Sequence, residues 1–188
     1  VRISNAYGTR PLAIGAACVG LRSAGPAVVP GSSRRITFGG DAGAMIAVGA
    51  LVVSDPVDLA FAPLSDLAVS VHLPDDLPAS FGITGRYARQ TNYISPPGDF
   101  SAAEIMPVGR LTDDWYFVSG IDVVAPREAG AVVAVGDSLT DANISSHDGH
   151  HSWPSQLARR LMARQSGRPM AVMNQGLGGN RILHDIRG

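Results

Sequence analysis

A short apolar run that ends in a glycine and a serine constrains this chain most. Residues 131–135 are small or β-branched and have no polar interruption, which is typical of a strand buried on both faces. Gly136 ends the run, Asp137 follows, and Ser138 lies where the chain must turn. Ligands of open α/β sheets bind at the carboxyl ends of the strands, so a serine here is placed as a nucleophile would be. The alternative interpretation is a tight turn in which glycine and serine only fit the backbone.

A second short apolar strand is predicted at residues 171–173, and a glycine-rich stretch follows it. Three glycines lie within residues 176–179. Glycines let a backbone pass close to a ligand and direct its N–H groups at an anion. This loop is therefore the second candidate for contact with a ligand.

One helix is predicted between these two strands. Ser152, Trp153 and Pro154 mark its start, and proline suits a first helical turn. Helical spacing gives one apolar face: Leu157, Ala158, Leu161 and Met162. Three cations lie off that face, near the carboxyl end of the helix: Arg159, Arg160 and Arg164. Strand, helix and strand predict a right-handed βαβ unit with both loops at one sheet edge.

The ordered combination of motifs resembles the SGNH, or GDSL, hydrolase superfamily of esterases and lipases. GDSLTD occupies residues 136–141, WPxxLAxRL residues 153–161, and NxGxxGNRxL residues 174–183. The pattern is most similar to the bacterial arylesterase-like and carbohydrate-esterase-like subgroup. The resemblance covers the N-terminal β-domain loosely and the first two blocks of the catalytic domain sharply.

The resemblance implies a flavodoxin-like α/β (SGNH) three-layer catalytic domain with a parallel sheet. It implies that Ser138 is the nucleophile, that its own N–H faces the oxyanion, and that the N–H of Gly179 does the same. Four further residues are expected to support this site: Gly136, Asp137, Asp141 and Asn180. We interpret Asp137 and Asp141 as residues that hold the turn and cap the next segment, not as proton-transfer groups.

Two blocks of the family pattern are not matched. The family supplies an oxyanion-hole asparagine from GxND and a base from a DxxH pair, and the 188 residues contain no GxND. We therefore expect the catalytic histidine and aspartate and this asparagine outside these residues, in the remainder of the chain or in a second chain. Asp148 and His151 have DxxH spacing, but they fall where the family has a variable loop. A solvated loop histidine is the preferred interpretation of His151.

No metal or cofactor is expected. His147, His150 and His151 form a short histidine-rich tract of the kind that can bind a metal. No matching array of carboxylates or cysteines accompanies them. His184 is unassigned.

Composition excludes several classes of function. The 15 Lys and Arg residues nearly balance the 16 Asp and Glu residues, and no basic cluster alternates with aromatic residues, so nucleic acid is not an expected partner. The longest apolar run, residues 42–53, contains glycines and is too short to span a bilayer. The single cysteine, Cys18, allows no internal disulfide and is expected to be a buried thiol.

The pattern of residues 1–126 predicts a jelly-roll-like antiparallel β-sandwich, which we interpret as an accessory domain. The SGNH portion follows at residues 127–188. Residues 1–5 already have a strand pattern, without an initiator methionine or signal segment. The other candidate strands are short: 12–19, 34–38, 44–48, 51–53, 58–61, 67–73, 81–86 and 116–124. Residues 95–99 are predicted to form an exposed loop, and 125–130 the linker between the domains.

The hypothesis is a serine ester hydrolase that cleaves short-chain acyl groups from carbohydrate or aryl alcohols through an acyl-serine intermediate. Its substrate would be an acylated small molecule or polysaccharide. The resemblance implies a secreted or periplasmic bacterial protein, and a homo-oligomer is left open.

Two alternatives from other classes remain. One is a non-catalytic carbohydrate-binding protein with a vestigial GDSL domain. Five aromatic residues could form a sugar-stacking platform, but alternating strand positions place about half of such residues in a core: Tyr87, Tyr93, Trp115, Tyr116 and Phe117. We favour a structural role for the β-domain, which would cover hydrophobic surface of the catalytic unit or support an oligomer. The other is a phosphate- or nucleotide-binding protein that uses the loop at 176–180, which the absence of GxGxxG after the first strand and of a P-loop lysine disfavours.

Overall fold

The computed structural model describes residues 1–77, 81–85, 89–164, 168–181 and 183. These residues are rich in strands and fall into two compact units. The first unit comprises Val1–Arg86 and Asn92–Asp122, and the second comprises Tyr87–Thr91 and Val123–Gly188. The division into domains 1–126 and 127–188 stays a prediction.

The first unit consists of short antiparallel strands. They are β1 (Arg2–Ser4), β2 (Leu12–Ile14), β3 (Ala16–Leu21), β4 (Arg34–Ile36), β5 (Ala44–Ile46), β6 (Leu51–Val53), β7 (Leu67–His72), β8 (Ile83–Gly85), β9 (Asn92–Ile94), β10 (Arg110–Thr112), β11 (Trp115–Tyr116) and β12 (Val118–Gly120). The three-stranded sheets have the orders β12-β1-β6 and β4-β3-β7, and the two-stranded pairs are β2-β5, β8-β11 and β9-β10. Several small sheets do not by themselves confirm the predicted β-sandwich, which stays a prediction.

The core of the first unit gathers the inward side chains of several of these strands. Its buried members are Ile3, Leu12, Ile14, Ala17, Val19, Ile36, Phe38, Ile46, Phe81 and Phe117. β3 is the most deeply buried strand, because β4 pairs with one of its edges and β7 with the other. Cys18 lies on β3 and is buried, as predicted.

The prediction of a strand at residues 58–61 is wrong. Residues 58–61 form no strand, although Val57 and Leu59 pack against the core while Asp58 and Ala60 are exposed. The period of two in the sequence is therefore real, since alternate side chains of an extended segment point in opposite directions. Burial of one face without a neighbouring strand produced the misleading pattern.

Several predicted strands are shorter or are divided. The run at 12–19 breaks at Gly15 into β2 and β3, and the run at 116–124 breaks at Phe117, whose φ is 56°. The two pieces of the second run have different partners, because β11 pairs with β8 and β12 pairs with β1. Two strands, β9 and β10, were not predicted. Residues 96–99 are exposed, with bends at 96–98, which agrees with the predicted loop.

The aromatic residues proposed as a sugar platform lie in different environments. Phe117 belongs to the core at 4% exposure, and its ring contacts those of Phe81 and Tyr116. Trp115 is exposed at 39%, whereas Tyr93 is half-buried. Tyr87 lies outside the described residues. Phe117 is thus a core residue.

The second unit contains the predicted βαβ arrangement. Its elements are β13 (Gly130–Gly136), α1 (Ser138–Asp141), α2 (Trp153–Ala163) and β14 (Met170–Gly176). β13 and β14 are parallel and in continuous register, from Gly130 opposite Met170 to Gly136 opposite Gly176. Both strands therefore end at the same sheet edge, as the sequence predicted.

Burial of β13 on both faces was the wrong expectation. Its burial alternates, and Ala134 is 4% exposed whereas Val133 is 50% and Val135 is 72% exposed. In the described part of the chain β13 pairs only with β14. Both helices contact this two-stranded sheet, and the less exposed face of β13 carries its even-numbered residues. A run of β-branched residues shows that a strand forms, but it does not show how many layers cover the strand.

The predicted start of α2 is confirmed. Ser152 is the N-cap, its hydroxyl accepts a hydrogen bond from the Ser155 N–H at 3.3 Å, and proline occupies the first turn. Leu157 and Leu161 are half-buried, while the three arginines are exposed. Within the described ranges neither α1 nor α2 reaches the length that a bilayer crossing requires.

Candidate active site

Ser138 is the first residue of α1 and lies two residues after Gly136, the carboxyl end of β13. Asp137 separates it from the strand and caps the helix, since the Asp137 carboxylate accepts a hydrogen bond from the Leu139 N–H at 3.0 Å. Ser138 itself is half-buried. A small capped turn thus holds the serine at the sheet edge without removing it from solvent.

The end of α1 is fixed by bonds to the Ser138 carbonyl. That oxygen accepts the N–H of Ala142 and, at 3.0 Å, the N–H of Asn143. Ala142 adopts a left-handed conformation with φ of 92°, which ends the helix after one turn. The backbone on both sides of Ser138 is therefore hydrogen-bonded to the turn that carries it.

Two glycines that lie opposite each other allow α1 to approach the sheet. A Cβ on Gly136 would lie 2.2 Å from the Thr140 hydroxyl oxygen, and one on Gly176 would lie 2.2 Å from the Asp141 backbone nitrogen. Real Cβ atoms do not approach so closely, so both strand ends require glycine. This is the physical reason for glycine at Gly136, which the sequence predicted as a supporting residue.

The glycine-rich loop begins at the same edge. The Leu177 N–H donates to the Gly136 carbonyl at 3.0 Å and extends the pairing of the two strands by one bond. The Asn180 N–H then donates to the Leu177 carbonyl at 2.9 Å, which closes a tight turn. Gly179 is the third residue of this turn and has φ of 77°, a conformation that suits glycine. The Asn180 side-chain amide also donates to the Gly136 carbonyl, at 3.4 Å.

Asp141 connects α1 to this second loop. Partial burial raises the pKa of its carboxyl group above the ordinary value, and a hydrogen bond from the Gly178 N–H opposes part of that rise. Among the described residues, no hydrogen bond joins the Asp141 carboxyl group to a side chain that could exchange a proton with it.

Two backbone N–H groups at this edge have no acceptor. Within the described part of the chain neither the Ser138 N–H nor the Gly179 N–H makes a hydrogen bond, whereas the N–H groups of Leu139 and Asn180 do. Unpaired backbone donors in a partly covered site are available to a ligand. They are the two N–H groups that the resemblance implies for the oxyanion, and that role stays a prediction.

Asn174 and Thr140 also shape the site, and the sequence predictions did not single them out. The Asn174 side chain donates to the Thr140 carbonyl at 2.8 Å and accepts the Gly176 N–H at 2.9 Å, so it bridges β14 and α1. The Thr140 hydroxyl is buried and accepts the Trp153 indole N–H at 3.3 Å. Each of these residues lies inside a motif quoted above, so the motifs were the signal.

The histidine-rich loop does not form a dyad at Asp148 and His151. The Asp148 carboxylate is bonded to Thr91 and lies 3.4 Å from His147, and the Nδ1 atom of His151 is paired with the Ser146 hydroxyl. No histidine is hydrogen-bonded to Ser138 in the described ranges. No cluster of three potential metal ligands occurs among these residues either. His184 lies outside them.

Comparison with known families agrees with this geometry. Residues 132–187 match the family model described as GDSL-like Lipase/Acylhydrolase. The match includes both Ser138 and Gly179, whereas the β-rich first unit lies outside it. No curated protein matches the chain. The match to the family model supports the SGNH/GDSL hydrolase superfamily for residues 132–187, the carboxyl-terminal segment of the chain.

Proposed function

We propose that this protein hydrolyses carboxylic esters through an acyl intermediate on Ser138. One observation supports this assignment most: Ser138 and the glycine turn lie at one sheet edge, with unpaired N–H groups on Ser138 and Gly179. The match of the carboxyl-terminal segment to an acylhydrolase family model supports the reaction type. Bound anions and oxyanions are stabilised by such unpaired donors.

The proposed reaction has two halves. The Ser138 Oγ attacks the acyl carbonyl carbon while a base takes the hydroxyl proton, and the carbonyl oxygen becomes an oxyanion near the N–H groups of Ser138 and Gly179. Collapse expels the alcohol, which receives the proton, and leaves the acyl group on Ser138. Water then adds to the acyl-serine, the acid leaves, and the serine hydroxyl is restored. The family pattern assigns the base to a histidine of its DxxH block, for which the resemblance identified no counterpart.

The proposed substrates carry short acyl groups on carbohydrate or aryl alcohols. The resemblance to carbohydrate esterases and arylesterases supports this choice. The proposal includes a secreted or periplasmic location, which also rests on the resemblance. It further includes a sandwich-like accessory domain and a flavodoxin-like hydrolase domain.

The test compares Ser138→Ala with Ser119→Ala in the full chain. Ser119 is an exposed serine of the first unit, and its replacement controls for the loss of one hydroxyl. Turnover of an aryl acetate is expected to fall by at least about 10³-fold in Ser138→Ala alone, because the nucleophile is lost. Intact mass after reaction with a fluorophosphonate should show one adduct on the wild type and on Ser119→Ala and none on Ser138→Ala.

Two outcomes would overturn the assignment. Equal turnover by Ser138→Ala and the wild type would place the nucleophile elsewhere. Retained affinity for an acylated polysaccharide, with neither turnover nor an adduct on the wild type, would favour the binding-protein alternative.

A further inference from the structure

Residues 89–91 lie against the loop that follows α1, although the two segments are more than fifty residues apart in the sequence. Both segments belong to the second unit. The Arg89 Nε donates to the Asn143 carbonyl at 2.6 Å, and the Asp148 N–H donates to the Arg89 carbonyl at 2.9 Å. Gln90 and Thr91 add further bonds to the same loop. We call residues 89–91 the strap.

Thr91 and Asp148 form the tightest part of this contact. One carboxylate oxygen of Asp148 accepts the Thr91 N–H at 2.6 Å, and the other accepts the Thr91 hydroxyl at 2.6 Å. These bonds hold the pKa of the Asp148 carboxyl below its ordinary value, the Thr91 hydroxyl being the largest cause. Hydrogen bonds to an ionised acceptor are about twice as strong as neutral ones. Asp148 also has a left-handed backbone, with φ of 55°, so the loop is held in a conformation that needs support.

Gln90 extends the contact to α2. Its side-chain amide donates to the Nδ1 atom of His150 at 2.7 Å, and the His150 carbonyl accepts the Gln156 side chain at 3.2 Å. Gln156 lies on α2, so His150, at the end of the loop, is bonded both to the strap and to α2. Because Arg89 bonds to Asn143 at the beginning of the loop, residues 143–150 are held at both ends.

Arg89 brings this restraint close to Ser138. The carbonyl of Asn143 accepts the Arg89 guanidinium N–H, and the N–H of Asn143 donates to the Ser138 carbonyl at 3.0 Å. One residue thus links the strap to the backbone of the nucleophile. Asn143 follows the left-handed Ala142, where the chain leaves α1.

We propose that the strap is a positioning element for Ser138: it fixes the turn after α1, and with it the direction of the serine hydroxyl, without contacting the substrate. This inference rests on the proposed function of Ser138 as nucleophile. The family model begins at residue 132, so it does not include the strap. A misplacement of the reacting group by about 1 Å can cost on the order of 10²-fold in rate, so a weaker strap has a measurable effect.

The test uses Thr91→Val, which keeps the shape of the side chain and removes its hydroxyl donor, in the full chain. We expect kcat for an aryl acetate to fall roughly 10- to 100-fold with KM nearly unchanged. The rate of fluorophosphonate adduct formation on Ser138 should fall in parallel. Thr91→Ser retains the hydroxyl and should restore kcat. Thr112→Val is the matched control, because among the described residues the Thr112 hydroxyl accepts only a local bond, from the Asp114 N–H in the first unit.

Amide hydrogen exchange tests the role of the strap independently of the proposed function of Ser138. Faster exchange of the Ala142 and Asn143 amides is expected in Thr91→Val and not in Thr112→Val. A wild-type protein without turnover and without a Ser138 adduct would contradict the proposed function, while the exchange result would still decide whether the strap holds this turn. Unchanged amide exchange at Ala142 and Asn143 in Thr91→Val would contradict the positioning role of the strap. Faster exchange with an unchanged kcat in an active enzyme would contradict it as well.

Discussion

At the scale of single residues, the site depends on two glycines that lie opposite each other at the ends of β13 and β14. Gly136 and Gly176 leave the space into which Thr140 and Asp141 fit, and this brings α1 onto the sheet edge. Neither glycine is needed for a left-handed backbone, since neither has a positive φ. Their contribution is therefore one of space, unlike that of Gly179, whose φ of 77° is the reason for its identity.

Gly176→Ala should consequently destabilise the second unit. The added methyl group would meet the Asp141 backbone at 2.2 Å, and overpacking of this kind costs about 1–3 kcal/mol. Gly178→Ala is the matched control in the same loop, because its nearest contact would be an ordinary 3.8 Å to the Asp141 carboxylate. Urea unfolding followed by the fluorescence of Trp153 measures both variants. Equal midpoints for the two would contradict the close approach of α1 to β14.

Asp141 and Asp148 should respond to pH with opposite signs. Burial raises the pKa of Asp141, so the folded protein binds its proton more tightly and loses stability as pH rises from the unfolded pKa, about 4, through the folded one. Hydrogen bonds from Thr91 lower the pKa of Asp148, so its contribution is present above the unfolded pKa and is lost as pH falls through the folded one.

Unfolding free energies of Asp141→Asn and Asp148→Asn between pH 3 and pH 7 check these signs. Relative to the wild type, Asp141→Asn should gain stability as pH rises through this window. Asp148→Asn should be less stable than the wild type near neutral pH and converge with it in acid. Differences that do not vary with pH would show that neither carboxyl has a shifted pKa.

At the scale of elements, α2 holds the βαβ arrangement together from its first turn. Ser152 caps the helix, and the indole of Trp153 reaches back to the Thr140 hydroxyl on α1. The beginning of one helix thus supports the helix that carries Ser138. Loss of either contact would loosen the covered side of the sheet.

Ser152→Ala should lower stability by about 1 kcal/mol, since the Ser155 N–H would lose its acceptor at the helix start. Ser152→Thr keeps a hydroxyl oxygen in the same position and should retain most of the wild-type stability. Thermal unfolding monitored by the helical circular dichroism signal measures both. The cap would be unimportant if the alanine and threonine variants melted together.

At the scale of the whole molecule, the sequence predicted the features that depend on local chemistry. The strand before Ser138, the cap at Ser152 and the turn at Gly179 each follow from neighbouring residues, and all are present. Features set by distant partners were not predictable. Phe117 divides one apolar run between two sheets, and residues 58–61 alternate without a strand to pair with. The strap has no motif, because its partners lie more than fifty residues along the chain.

The central place of β1 in its sheet has a consequence for how the chain folds. β1 lies between β6 and β12, and Arg2 pairs with Gly120. Pairings between residues so distant in sequence are slow to form, because a large loop must close first. During synthesis at about 5–20 residues per second, β1 would wait of the order of ten seconds for β12 to be made. Until then one edge of β1 remains open to β-strands of other molecules, so this protein should be most prone to aggregation while it is being made.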